Sequence, residues 1–116
     1  MNPSTVNARS ARARIRRRAP YPVRVDDIAT ELRRIRRRWG ELPEAAAAEH
    51  APLVRQLAQQ LADATRARAG RAPLGIPDLG PATLLDQLTV MVYDARRAGL
   101  DEQVSRGLTQ LRRSLP

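Results

Sequence analysis

Residues 25–40 read VDDIATELRRIRRRWG, and the fold follows from the spacing of four apolar side chains within them. Ile28, Leu32, Ile35 and Trp39 recur at intervals of four, three and four, the period of an amphipathic α-helix and not of a strand. At about 100° per residue they share one narrow sector, which puts Arg33, Arg34 and Arg37 on the opposite side and Arg36 and Arg38 on the flanks. Asp26 and Asp27 stand where acidic side chains cap a helix start and favour its positive end. Gly40 is expected to end this helix. The stripe packs, and the arginines face water or a partner.

The same period continues toward the C-terminus. Pro43 is placed to open a second helix, PEAAAAEHAP has the alanine content to sustain it, and Pro52 is expected to kink or restart it. Beyond Pro52, Leu53, Leu57, Leu61 and Ala64 form the expected buried stripe, with Val54 beside it, up to Gly70. GRAPLGIPDLGP, residues 70–81, is a loop by its glycines and prolines, and its Leu74, Ile76 and Leu79 are expected to tuck onto the bundle. A third helix opens at Pro81 and closes at Gly99, with Leu84, Leu88, Met91 and Ala95 as its stripe and Leu85 and Val92 on its shoulder. Val90 and Tyr93 lie off that stripe, so this helix has neighbours on two sides or lends a second face to another copy of the chain. Asp101 is expected to cap a fourth helix carrying Val104, Leu108, Leu111 and Leu115. No segment alternates at period two and no internal repeat is present. The expected fold is therefore all-α, a small bundle of three to four helices over 25–116, preceded by a basic, flexible N-terminal tail over 1–24.

Charge is distributed unevenly. All 21 basic residues are arginine, a usage that a GC-rich coding background also produces, so the net charge of +9 is weak support for function by itself. Its location says more. Residues 1–38 hold twelve arginines against three acids, whereas residues 39–116 hold nine against nine, so the whole surplus sits in the first third. ARSARARIRRRAP, residues 8–20, supplies Arg9, Arg12, Arg14, Arg16, Arg17 and Arg18 with no acid among them. Six such side chains, each neutralising a phosphate, give salt-sensitive binding to a polyanion backbone with little base readout. Arg33, Arg34 and Arg37 extend the same surface onto the first helix. Stacking on bases is not offered, since Trp39 lies on the core stripe and Tyr21 is the one aromatic residue of the tail.

Several chemistries are excluded or left without support. Cysteine is absent, which removes disulfides, thiolate metal sites and a cysteine nucleophile. His50 is the single histidine and has no second ligand on its helix face; Asp86 and Asp94 have no phosphate cradle beside them. No cofactor, metal or enzymatic activity is expected. No apolar run reaches the roughly 18 residues that span a bilayer, and no apolar stretch follows the basic start as in a secretory signal. An arginine-rich, acid-poor start also resembles an organellar transit peptide, though a chain without lysine suits that poorly, and a cytoplasmic location is the expectation.

One stretch has a sharper look. DARRAGLDEQVSRGLTQLRR, residues 94–113, resembles the helix-turn-helix of transcriptional regulators: Ala95 and Gly99 have the four-residue spacing, Leu100 follows as the turn residue, and Val104–Arg106 is similar to the recognition helix of LacI-type repressors. The motif's apolar residue six after the glycine is here Ser105, with Val104 one place early, and Asp94 stands where an apolar residue is usual. An ordinary αα-hairpin with a Gly-Leu-Asp corner is the other reading.

These observations lead to the expectation of a small non-enzymatic accessory or regulatory protein that binds nucleic acid, or an acidic protein surface, through its arginines. It is expected to form a homo-oligomer through the third helix, by Val90 and Tyr93, or through the fourth. The alternative is a helical scaffold or adaptor that acts by protein–protein contact with no nucleic-acid role.

Overall fold

The structure, a computed structural model, describes residues 25–116, with side chains from Asp27 onward. The basic segment over 1–24, with its six candidate arginines and its expected flexibility, lies outside the described residues, and so does the Asp26 side chain expected to cap α1. Among the described residues the fold is all-helical with four α-helices: α1 over Val25–Glu41, α2 over Glu44–Arg68, α3 over Leu84–Arg97 and α4 over Asp101–Ser114. A single 3-10 turn over Pro81–Thr83 leads into α3.

Packing does not follow chain order. α2 packs chiefly on α3, and α1 packs chiefly on α4, the last helix. Glu31 of α1 meets Arg112, and Arg38 further along α1 meets the carbonyl of Pro116, so α1 and α4 run in the same direction. Arg36 reaches from α1 to α3, binding Asp86 at 3.1 Å and Thr89 at 3.0 Å. The largest fully buried side chains, Ile28, Ile35, Val54, Leu61, Leu84, Leu88, Val92, Val104 and Leu108, come from all four helices and form one core.

The α1 stripe is as expected: Ile28, Leu32 and Ile35 are buried and Trp39 packs partly against the core. The helix runs through Gly40 to Glu41, one residue past its expected end, because Gly40 keeps an ordinary negative φ and Leu42 N–H still donates to the Trp39 carbonyl. In α2 three expectations are corrected. Pro43 stands just before the helix and Glu44 is its first residue. The helix does not restart at Pro52, which lies inside it; Pro52 has no N–H for the Ala48 carbonyl, and both residues are exposed. The buried face is Val54, Leu57, Ala58, Leu61 and Ala62, while Leu53 is exposed and Ala64 only half-buried. The face is rotated and widened because α2 contacts both α3 and α4.

Only Ile76 of the 70–81 loop packs against the core; Leu74 and Leu79 are exposed, contrary to expectation. Polar side chains hold this loop instead. Gln59 donates to the Leu74 carbonyl at 3.0 Å and accepts from Ile76 N–H at 2.9 Å, Gln87 donates to the Pro77 carbonyl at 2.8 Å, and Arg55 pairs with Asp78 at 2.8 Å. Satisfying the loop backbone from α2 and α3 fixes its path without burying leucine.

α3 ends at Gly99, φ +80°, with Gly99 N–H bonded to the Arg96 carbonyl and Leu100 N–H to the Ala95 carbonyl, a Schellman termination. α4 starts without the side-chain cap expected of Asp101, which instead faces Arg96 across the corner at 3.4 Å. Its stripe of Val104, Leu108, Leu111 and Leu115 is buried as expected. Gly107 packs against α2: a Cβ there would stand 2.5 Å from Leu57 Cδ1.

Candidate nucleic-acid interface

α1 carries its arginines as a direct result of how its core stripe is buried. With Ile28, Leu32 and Ile35 turned inward, Arg33, Arg34 and Arg37 are left exposed on the outer side, where the spacing put them. None is held by a strong partner. Arg33 donates to Thr30 Oγ1 at 3.2 Å, Arg34 pairs with Glu31 at 3.4 Å, and Arg37 pairs with Glu41 at 3.3 Å. The exposed Arg37–Glu41 pair contributes about 0.2–1 kcal/mol and exchanges readily for another anion.

The flanking arginines are occupied structurally. Arg36 docks α1 on α3 through Asp86, Thr89 and the Leu85 carbonyl, and Arg38 reaches Pro116 and Glu41 at the other side. Glu31, only 13% exposed at its side chain, accepts from Arg34 through Oε1 and from Arg112 through Oε2 at 2.6 Å. A carboxylate beneath two guanidinium groups orients them and leaves the seam between α1 and α4 lined with arginine at the surface.

Sequence reasoning singled out Arg106 of α4 only through the regulator resemblance and missed Arg112 and Arg113. The α4 stripe, once in register, sends Arg106 and Arg113 outward, and the α1–α4 pairing brings Arg112 beside Arg34. The outward direction is readable from the four-three-four spacing of Val104, Leu108, Leu111 and Leu115. That α4 lies beside α1 is a tertiary fact with no local signal. Arg106 pairs with Glu102 at 3.2 Å, and Arg113 makes no ion pair among the described residues.

Val90 and Tyr93 are 52% and 59% exposed, on the side of α3 opposite its buried residues. His50 donates from Nδ1 to the Ala46 carbonyl at 2.8 Å, an interaction within its own helix. Among the described residues no group of three or more His, Cys, Asp or Glu side chains is placed to hold a metal ion. No described helix is long and apolar enough to cross a membrane.

At the α3–α4 corner, Ala95 and Val104 are buried, Leu100 packs partly on the core, and Asp94 is exposed. The buried apolar position of α4 is thus Val104, and Ser105, where the regulator motif has its apolar residue, is only half-buried. The two helices share only a small contact, because α3 and α4 each pack mainly on another helix. The corner therefore departs from the regulator motif at Ser105 and at Asp94. Comparison of the chain with protein-family models, curated proteins and solved structures finds no match.

Proposed function

We propose that this chain is a small non-enzymatic accessory or regulatory protein that binds nucleic acid through the phosphate backbone. The observation that carries this reading is the exposed row Arg33, Arg34 and Arg37 on α1, weakly partnered and joined through the chain to the arginine-rich residues 1–24. The chemistry is charge neutralisation: guanidinium groups replace condensed counterions on phosphate, and the energy is largely independent of base sequence. Trp39 packs against the core, which takes the aromatic residue of α1 out of any stacking platform.

The test is a fluorescence-anisotropy titration of a random duplex with the full chain and with the triple variant Arg33→Gln, Arg34→Gln and Arg37→Gln. Three exposed contacts at about 0.5 kcal/mol each weaken binding by about tenfold. Unchanged affinity in the triple variant removes α1 from the interface. Equal affinity of the full chain for polyglutamate transfers the reading to an acidic protein partner. A scaffold that works by protein contact is the second reading, favoured by the exposure of Val90 and Tyr93.

A further inference from the structure

The outer side of α3 carries more than two stray apolar residues. Asp86, Val90, Tyr93 and Arg97 recur at intervals of four, three and four, and all four are exposed. At about 100° per residue they form a single stripe on the side of the helix away from Leu84, Leu88, Val92 and Ala95. Acid stands at one end, base at the other, and the apolar pair lies between them.

This order is self-complementary. Val90 and Tyr93 are equidistant from a point midway between Met91 and Val92, and so are Asp86 and Arg97. A twofold axis through that point lays a second α3 antiparallel on the first, with Val90 against Tyr93 of the other copy and Asp86 against Arg97 of the other copy, each contact made twice. The groups are available for it. Arg97 makes no ion pair among the described residues, and the Asp86 side chain is 69% exposed and engages Arg36 through Oδ1, leaving Oδ2 open. A parallel arrangement instead sets Asp86 against Asp86 and Arg97 against Arg97, which repels at both ends.

From this geometry we infer that the α3 outer stripe is a homodimer interface, antiparallel and isologous, whose occupant is a second copy of the chain. α3 has 14 residues, so the contact is about 21 Å long and buries a few hundred Å² per copy, below the roughly 800 Å² per partner of a tight complex. The dimer is accordingly a weak one, with a dissociation constant of roughly 10–100 µM. It does not use Arg33, Arg34 or Arg37 and does not depend on the nucleic-acid reading.

Sedimentation of the full, nuclease-treated chain between about 10 µM and 1 mM tests the inference. The expected result is a shift from monomer mass to dimer mass and no larger species. Val90→Glu abolishes the dimer, Arg97→Glu weakens it at least tenfold by placing carboxylates at both ends, and the exchanged pair Val90→Glu with Tyr93→Lys, which leaves the Arg36–Asp86 contact intact, restores it to within about tenfold. Restoration separates pairing from misfolding, and thermal melts of the variants monitor the fold. A monomer throughout the range, association unchanged by Val90→Glu and Arg97→Glu, or failure of the exchanged pair to restore the dimer each overturns the inference.

Discussion

Ile35→Ala is expected to destabilise the protein by about 2–5 kcal/mol and to lower its melting temperature by about 10 °C or more. Ile35 is fully buried at the middle of the α1 stripe, between Leu32 and Trp39, and it belongs to the core formed with residues of the other three helices. Truncation removes three carbons from a core whose other members, including Leu88, Val92, Val104 and Leu108, are themselves fixed in helices and do not fully close the cavity. Arg33→Ala, two residues away on the outer side of the same helix, is expected to change stability by less than about 0.5 kcal/mol. Chemical denaturation of the two variants reads the difference directly. A loss below about 1 kcal/mol for Ile35→Ala contradicts the assignment of α1 to the bundle, and with it the rigid presentation of Arg33, Arg34 and Arg37.

The second large effect compares one substitution at two glycines. Gly99→Ala is expected to cost about 1–2 kcal/mol, because Gly99 holds φ +80° at the turn from α3 to α4 and a Cβ in that region meets the following carbonyl. Gly40→Ala is expected to stabilise by about 0.5–1 kcal/mol, since Gly40 lies within α1 at negative φ and a Cβ there meets nothing within 4 Å. The two variants therefore differ by about 2 kcal/mol in urea denaturation although the chemical change is identical. Equal effects at the two positions contradict either the Gly99 corner or the extension of α1 through Gly40.

These two experiments also mark what was legible in the sequence. The burial of Ile28, Leu32, Ile35, Leu84, Leu88, Val104, Leu108 and Leu111 follows from periodicity alone, because a helix with a single packed side leaves the 3.6 period in its sequence. Gly70 and Gly99 were readable as helix stops for the same local reason, and both have positive φ. Gly40 was not, because a glycine near a helix end is compatible with either conformation until the following backbone bonds are known. Leu53 was misplaced because α2 packs on two helices, and a wide apolar face admits more than one register. Leu74 and Leu79 were misplaced because the loop is held by Gln59, Gln87 and Arg55, side chains whose partners lie 15–23 residues away for Gln59 and Arg55 and 10 away for Gln87.

Of the candidate site, the outward direction of Arg33, Arg34 and Arg37 was readable because it is the complement of a clear stripe. The different employment of Arg36, Arg38 and Arg112 was not. It depends on α1 packing on α4 and reaching α3 through Arg36, and no local pattern encodes that choice of neighbours. Gly107 shows the same limit: it resembles a weak point in a helix until Leu57 is found against it.

The proposed function rests on backbone binding by a cationic surface, and its most direct test is the salt dependence of duplex affinity for the full chain. Three α1 arginines acting alone give a slope of log K against log salt of about −3, and six further arginines from residues 8–20 steepen it toward about −8. The account predicts a slope within those limits, reduced by about 3 in the triple Gln variant. A slope near zero, or no detectable binding at about 50 mM salt, contradicts it.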